Sequence, residues 1–256
     1  MKKQPERISY FEFQAEVGLT KHIGGTRATD ELVRSCHITK DSYILEIGCG
    51  VGLTPVYIAK KYGCRIMAVD ISKDMVRNAN QRVEKEGLAD RINLKVEDAQ
   101  ILPFNDGTFD AVILESVLAF VPDKKKAMKE FMRVAKKGGY IGFTEVAWVK
   151  KPPADMEKKM NDFAGTKLLA PDEWKQLLVD AGLTDITAKT YELKLLDEVL
   201  DEITRWDFIE YLKVQYRAWK GLFTKPSYRR FVMDALKLPL NIISYWGYGV
   251  YAGKKD

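Results

Sequence analysis

A short apolar run followed at once by closely spaced glycines constrains this chain more than any other feature. Tyr43–Ile47 predicts a buried strand, and the glycines at 48, 50 and 52 let the backbone turn sharply and approach a ligand closely. From Thr54 the pattern is helical, so the loop delivers its ligand to a helix N-terminus, where free N–H groups favour anionic groups. The stretch therefore predicts a nucleotide-type site.

The spacing of the glycines argues against two common nucleotide sites. Counting from Gly48, the dinucleotide fingerprint needs a glycine at its sixth position, where Leu53 stands. No Lys-Ser/Thr pair follows the glycines, so the phosphate loop of nucleotide triphosphatases is also absent. The carboxylate of Glu46 suits a cationic or amine-bearing ligand better than a pyrophosphate. The alternative to a ligand site, if the glycines are taken alone, is a tight turn that binds no ligand.

Acidic residues recur where further predicted strands end. Arg65–Asp70 predicts a second strand, and its terminal Asp70 can accept both hydroxyls of a ribose. The alternative is that Asp70 only caps the helix that starts at Ser72, and the two roles are compatible. Ligands of parallel sheets bind at the carboxyl ends of the strands. The acids at such ends are Glu46, Asp70, Asp98 and Glu115.

Six short pieces of the chain occur in an order typical of one enzyme class. They are Glu46-Ile-Gly-Cys-Gly-Val-Gly52, Val69-Asp-Ile-Ser72, Glu97-Asp-Ala99, Leu102-Pro-Phe104, Phe109-Asp110 and Arg133-Val-Ala-Lys-Lys-Gly-Gly139. Together they resemble the class I S-adenosylmethionine-dependent methyltransferases, and more closely their small-molecule branch of quinone, tocopherol and phosphoethanolamine methyltransferases. The resemblance runs from about His22 to Val146. It implies an α/β fold with a doubly wound, Rossmann-like, mainly parallel seven-stranded sheet and an antiparallel last strand.

The resemblance also implies S-adenosyl-L-methionine as cofactor and suggests its contacts residue by residue. Glu46 would orient the methionine amine, Asp70 would hold the ribose, and Asp98 with Ala99 would read the adenine. Glu115 would face either the methionine amine or the methyl acceptor. The remaining cofactor contacts that we expect are Tyr10, Gly48, Cys49, Gly50, Gly52 and Ile71.

The source of a general base stays open. Relatives often carry a histidine shortly before a Val-Pro-Asp turn, and here Phe120 occupies that place. A base would then come from His22, from Glu115 or from the later insertion, unless the acceptor needs none. The catalytic candidates are therefore Glu115, Phe120 and His22.

The N-terminal region from Ser9 to Arg34 is expected to be helical with a break at Gly24-Gly25. In the resembled family this region folds over the cofactor, and His22 or Tyr10 would close on its methionine end. The alternative is a helix packed on the sheet, with the glycine pair as its stop signal.

Near its C-terminus the chain departs from the resembled fold by an insertion before the last strand, which is predicted from Ile242 to Ala252. We expect a cofactor-binding domain of residues 1–193 and 241–256 and a helical cap at 194–240. Phe208, Leu212, Tyr216, Trp219 and Phe223 recur at steps of three or four and share one helical face. That face either packs on the sheet domain or shapes the acceptor pocket.

The same helix raises the question of a membrane surface. Basic and aromatic residues on one helix suit an anionic bilayer, but Asp207 and Glu210 disfavour that interpretation. No apolar run has the length of a membrane span, and residues 1–7 are polar and basic, so we expect a cytoplasmic protein.

Composition narrows the function classes further. The net charge of +5, from 41 Lys and Arg against 36 Asp and Glu, does not indicate a nucleic-acid partner. The three cysteines have no CxxC spacing, so neither a disulfide framework nor structural zinc is expected. No pattern in the chain requires a metal.

The sequence thus predicts an S-adenosylmethionine-dependent methyltransferase that acts on a small molecule. One alternative is a cofactor-binding, methyltransferase-like protein without turnover, because the histidine is missing. Another is a protein or nucleic-acid methyltransferase, although Leu114-Glu115-Ser116-Val117 stands where an Asn/Asp-Pro-Pro-Tyr/Phe tetrapeptide would be expected. Neither the acceptor nor the oligomeric state follows from the sequence.

Overall fold

Two short helices precede the first strand. The computed structural model describes residue 8 and residues 10–18, 22–193 and 208–256, and it begins with α1 (Tyr10–Val17) and α2 (Gly25–Ser35). Helix α1 is followed by Gly18 at a φ of +75°. The Gly24-Gly25 break lies where the sequence predicts it, but Gly24, at a φ of +90°, is the N-cap of α2. The pair therefore opens a helix, and its interpretation as a stop signal is wrong.

A seven-stranded sheet forms the centre of the molecule. Its strands are β1 (Tyr43–Ile47), β2 (Arg65–Asp70), β3 (Ile92–Val96), β4 (Phe109–Glu115), β5 (Ala135–Trp148), β6 (Thr184–Glu192) and β7 (Trp246–Lys254). Their order is β3-β2-β1-β4-β5-β7-β6. Strand β7 runs in the opposite direction to the other six. This confirms the predicted α/β fold with a mainly parallel sheet and an antiparallel last strand.

Helices cover both faces of the sheet. They are α3 (Leu53–Tyr62), α4 (Lys73–Lys85), α5 (Lys124–Val134), α6 (Ala154–Ala164), α7 (Pro171–Asp180), α8 (Phe208–Thr224) and α9 (Pro226–Ala235). Successive strand residues point to opposite faces, so Leu45 and Val112 pack in one core cluster and Ile44 and Ile113 in another. Burial on both faces explains why β1 and β4 are almost continuously apolar. Within the described residues, no helix has the length and apolarity of a membrane span.

Strands β5 and β7 each have an irregular start. Strand β5 begins at Ala135, which pairs with Phe109 of β4, and the regular register starts only at Tyr140, which pairs with Ala111. The intervening glycines fit this irregular start, since a Cβ on Gly139 would lie 2.8 Å from the carbonyl oxygen of Asp110. Strand β7 begins at Trp246 rather than Ile242, because Leu240–Tyr245 forms a 3₁₀-helix first.

The aromatic face predicted in the insertion lies on α8 but points to solvent. The exposed fractions are 49% for Leu212, 66% for Tyr216, 60% for Trp219 and 78% for Phe223. The other side of α8, centred on the buried Val214, packs against the N-terminal region and α9. The interpretation that the aromatic face packs on the sheet is therefore wrong, since helical spacing specifies a shared face but not its partner. Residues 194–207 and the side chain of Phe208 lie outside the described residues, so the cap at 194–240 stays a prediction.

The turn after β1 depends on Gly48 in two ways. Its φ of +75° lies in the left-handed region, and a Cβ on it would lie 2.2 Å from Cγ2 of Val117. The loop has little freedom to move away, because the N–H of Gly48 donates to the carbonyl of Val69 at 2.7 Å. Gly87 offers a comparison, since its φ is +66° but a Cβ there would meet no atom within 4 Å.

Gly48→Ala should therefore destabilise the protein more than Gly87→Ala. Both variants place a side chain in the left-handed region, which costs about 1–2 kcal/mol in the free energy of unfolding. Gly48→Ala adds the overlap with Val117, worth about 1–3 kcal/mol for an overpacked site. Urea-induced unfolding of the two variants and the wild type measures the difference. Equal losses would show that Val117 yields without cost.

Candidate active site

The carboxyl ends of β1 to β4 surround a cavity of about 470 Å³. The strand order reverses between β1 and β4, and open α/β sheets bind ligands at such a point. The volume is that of a small-molecule pocket. The predicted site residues that line it are His22, Glu46, Gly48, Cys49, Gly50, Asp70, Ile71, Asp98, Ala99, Glu115 and Phe120.

Among the described residues, one predicted site residue, Gly52, does not line the cavity. Gly52 is the N-cap of α3 at a φ of +82°, and a Cβ on it would lie 3.0 Å from Cβ of Ala79 on α4. Gly52 thus allows α3 and α4 to pack closely and supports the loop from behind. Tyr10 lies on α1, but its side chain is outside the described residues.

Asp70 connects the glycine loop to the start of α4. Its Oδ2 accepts the N–H of Gly50 and its Oδ1 accepts the N–H of Ser72, both at 2.9 Å. Burial raises the pKa of Asp70, and these N–H groups act in the opposite direction. Ser72 itself caps α4 by accepting the N–H of Met75 at 3.3 Å. Both alternatives for Asp70 fit this geometry, since Asp70 lines the cavity and each of its oxygens can accept a further hydrogen bond.

Glu46 lies at the bottom of the cavity and is 2% exposed. Its Oε2 is buried, and no described residue donates a hydrogen bond to it. Burial raises the pKa of Glu46, and the carboxylates of Glu115 and Asp70 raise it further. A buried carboxyl group without a donor is unfavourable, so Glu46 fits a cationic ligand group that enters the cavity.

Glu115 ends β4 beside a cluster of polar side chains from the N-terminal half of the chain. Its Oε2 accepts the hydroxyl of Thr54 at 2.9 Å and that of Thr29 at 3.3 Å. The Nε2 of His22 lies 3.4 Å from the same oxygen, and both side chains are buried. The predicted catalytic candidates His22 and Glu115 are therefore in direct contact.

Asp98 and Ala99 lie in the turn that follows β3. The Oδ1 of Asp98 accepts the N–H of Gln100 at 2.8 Å, so its carboxylate stabilises that turn. Cys49, in the glycine loop, is a small buried residue, and burial raises the pKa of its thiol well above the ordinary value. A thiolate nucleophile at Cys49 is thus disfavoured.

Phe120 lies in a 3₁₀-turn, Leu118–Phe120, whose backbone is held from two sides. The Oε1 of Glu145 on β5 accepts the N–H of Ala119 at 3.2 Å. The Nζ of Lys124 donates to the carbonyls of Ala119 and Val121 at 2.9 and 3.1 Å. The ring of Phe120 lines the cavity and also packs against the core of the sheet, so its active-site and core interpretations are both compatible with the structure.

Several residues of the site were not predicted from the sequence, because no sequence motif includes them. They are Gln14, Thr29, Thr54, Met75, Ser116, Val117 and Glu145. Thr29 and Glu115 are 86 positions apart, and Thr54 and Glu115 are 61 apart. Ser116 has a φ of +56°, which is unusual for a residue with a side chain. A backbone angle cannot be read from a sequence, so this feature could not have identified Ser116 in advance.

Among the described residues that line the cavity, acids are numerous and none is lysine or arginine. The acids are Glu46, Asp70, Glu97, Asp98 and Glu115. The remaining wall is largely apolar and includes Val117, Phe120, Val121 and Pro122. Such a cavity favours a ligand that carries positive charge and apolar surface, and it disfavours an anion.

Comparison with known proteins places the chain among methyltransferases. A family profile described as a methyltransferase domain matches residues 45–143. An uncharacterized protein of Haemophilus influenzae is 32% identical over 189 residues, which cover 72% of this chain and 75% of that protein. The chloroplastic tocopherol O-methyltransferase of Arabidopsis thaliana is 29% identical over 239 residues, which cover 86% of this chain and 65% of that protein.

A solved structure has the same fold. Phosphoethanolamine N-methyltransferase 2 of Haemonchus contortus, in complex with S-adenosyl-L-methionine, superimposes with a TM-score of 0.73 at 21% identity. The match covers 96% of this chain and 57% of that chain. At this identity the likeness concerns the fold alone.

Glu145 should make stability depend on pH. Burial raises its pKa from 4.5 to about 8, while the N–H groups of residues 117–119 act in the opposite direction. Between these two values the folded state holds a proton that the unfolded state has lost, so wild-type stability falls as pH rises. Glu145→Gln lacks this proton, and its stability relative to the wild type should rise by about 1.4 kcal/mol per pH unit.

Urea-induced unfolding across the window from mildly acidic to neutral pH measures this change. Glu130→Gln is the control, because a hydrogen bond from Arg133 lowers the pKa of Glu130 and both states are ionised there. Its stability relative to the wild type should stay constant across the window. A constant value for Glu145→Gln as well would mean that Glu145 is ionised when folded.

Proposed function

The chain belongs to the class I S-adenosylmethionine-dependent methyltransferases, and we propose that it transfers a methyl group from this cofactor to a small-molecule acceptor. When bound, the cofactor supplies a methyl group on a cationic sulfonium, activated for in-line displacement. The protein's own residues must then bind the cofactor, align the acceptor and exclude water.

The observation that carries the proposal is the buried Oε2 of Glu46, to which no described residue donates a hydrogen bond. The ammonium of the methionine moiety would provide that donor and a compensating charge. Asp70 would accept from the ribose, and Asp98 with the backbone at Ala99 would read the adenine. The glycines at 48 and 50 leave room for close approach, and Cys49 and Ile71 would contact the cofactor by packing.

The acceptor, in our proposal, is neutral or cationic and partly apolar. The cavity has no lysine or arginine among its described lining residues, so a phosphorylated or otherwise anionic acceptor would lack a counter-charge. The tocopherol O-methyltransferase supports a small-molecule acceptor by its name, although the alignment covers only 65% of that protein. The ring of Phe120 would contact the apolar part of the acceptor or the sulfonium.

His22 and Glu115 are the residues we propose for proton transfer. Their side chains lie 3.4 Å apart and line the cavity. The hydroxyls of Thr54 and Thr29 lie within hydrogen-bond distance of the same Glu115 oxygen and hold its carboxylate in place. Phe120 can exclude water but cannot take up a proton. An acceptor that is already nucleophilic at neutral pH would need neither side chain as a base.

Cytoplasmic residence and independence from metals stay predictions.

Asp70→Asn should weaken binding of S-adenosylmethionine. Hydrogen bonds to a charged group are worth about 1.5–3 kcal/mol, so the dissociation constant should rise roughly ten- to hundredfold. Asp110→Asn is the matched control: the Oδ2 of Asp110 also accepts a backbone N–H, from Tyr43 at 2.7 Å, but Asp110 does not line the cavity.

Isothermal titration calorimetry on both variants measures the effect, and Asp110→Asn should keep wild-type affinity. NAD should not bind, because Leu53 stands where the dinucleotide fingerprint needs glycine. Unchanged affinity in a folded Asp70→Asn variant would remove Asp70 from the cofactor site.

Methyl transfer itself is tested with methyl-labelled S-adenosylmethionine and a fractionated metabolite extract. We expect label in small, neutral or cationic compounds, at equal rates for the wild type and Asp110→Asn. Label in protein or nucleic acid would assign the enzyme to another class of acceptor. Cofactor binding without any labelled product across extracts would support the alternative without turnover.

A further inference from the structure

Helix α8 presents a continuous apolar stripe to solvent. We call Leu212, Tyr216, Trp219 and Phe223 the α8 face, and each of these side chains is at least 49% exposed. The rings of Trp219 and Phe223 stack with centroids 6.3 Å apart. Large apolar side chains that cluster at the surface mark an interaction site more often than they mark an ordinary surface.

Positive charge flanks the α8 face. The other large exposed side chains, among those that the structure describes on this helix, are Lys213, Arg217 and Lys220. No acid occurs from residue 211 to 224. Neither Lys213 nor Lys220 forms an ion pair with any residue that the structure describes. Asp207, and the side chain of Glu210, lie outside the described residues. Arg217 is exposed, although its Nη1 also donates to the carbonyl of Val17 at 3.2 Å.

A fourth cation extends this pattern to the end of the stripe. The Nη1 of Arg229 on α9 donates to the carbonyls of Leu222 and Phe223 at 3.0 and 3.1 Å. It thereby caps the C-terminus of α8, where positive charge is favoured, and lies beside Phe223. The apolar stripe is thus bordered by basic side chains on one flank and at its C-terminal end.

We propose that the α8 face docks on an anionic lipid bilayer. Tyrosine and tryptophan are enriched at the boundary between headgroups and acyl chains, because their rings are apolar at one end and polar at the other. Lysines beside such a stripe can contact anionic headgroups while their stems cover apolar surface. The helix would lie in the plane of the interface.

Two other partners fit the observations less well. The cores of protein interfaces are depleted in lysine, whereas lysines border this stripe closely. Single-stranded nucleic acid is held in a positively charged groove, whereas the α8 face is the convex surface of a helix. The charge pattern therefore favours a bilayer.

The position of α8 relates the docking surface to the cavity. Its buried Val214 packs in one cluster with Val51 of the glycine loop and Met75 of α4, and Met75 lines the cavity. Docking would bring the cavity close to the bilayer. The proposal does not depend on methyl transfer, and its test uses neither cofactor nor acceptor.

Flotation of the full chain with vesicles tests the proposal. We expect the wild type to float with vesicles of mixed phosphatidylcholine and phosphatidylglycerol, and not with phosphatidylcholine alone. Trp219→Ser/Phe223→Ser should abolish flotation. Lys213→Gln/Lys220→Gln should weaken binding roughly ten- to thirtyfold and reduce its salt dependence. The control is Lys125→Gln/Lys129→Gln on α5, two exposed lysines whose loss changes the charge equally and should have little effect.

A fluorophore sensitive to its environment locates the contact. It can be attached at Phe223→Cys, because the native Cys36, Cys49 and Cys64 are all buried. We expect a blue shift with anionic vesicles, and none from the same label at Lys175→Cys on α7.

Any one of five results would overturn the proposal. The first four are the absence of flotation with anionic vesicles, equal losses in the α5 control, a label at residue 223 that is already shielded in the free protein, and binding of single-stranded nucleic acid through the same residues. A dimer that dissociates in Trp219→Ser/Phe223→Ser would instead assign the face to contact between copies, which also contradicts docking on a bilayer. All substituted side chains are exposed, and circular dichroism verifies that each variant is folded.

Discussion

The carboxylate of Asp70 is the interaction on which the geometry of the site depends. It accepts one N–H from the loop after β1 and another from the start of α4, so one side chain at the end of β2 positions the elements on both sides of it. The same constraint limits what the loop can contain. Gly48 has no room for a Cβ next to Val117, and Gly52 has little next to Ala79. Both glycines are thus required by packing within the protein, independently of any ligand.

The acids at the strand ends give the cavity its chemical character. The described lining residues include five acids and no lysine or arginine, and His22, beside Glu115, is the one basic side chain among them. The neighbouring charges raise the pKa of Glu46 beyond the effect of burial. Positive charge on a ligand would offset this repulsion, as the ammonium and sulfonium of the proposed cofactor would.

The sequence was sufficient for the sheet and for the strand-end residues, because both depend on local patterns. A run such as Tyr43–Ile47 is buried in a parallel sheet that is covered on both faces, and an acid near its carboxyl end lies at the edge where such sheets bind ligands. Thr29, Thr54 and Glu145 could not be predicted in this way. Small polar residues in helices and a glutamate within a strand are common, and their roles arise only when the fold brings them to Glu115 or to residues 117–119.

For helix α8 the sequence predicted the correct apolar face but the wrong partner for it. Periodicity groups Leu212, Tyr216, Trp219 and Phe223 on one face, and an apolar face normally packs inward. Here Val214 and its neighbours already form the buried side, and Gly221 lets Tyr228 approach so closely that a Cβ would lie 2.1 Å from its ring. Helix α8 therefore has two apolar sides, and the core of a monomer can bury only one of them. The second side is exposed, and the basic side chains beside it favour the anionic bilayer that we propose as its partner.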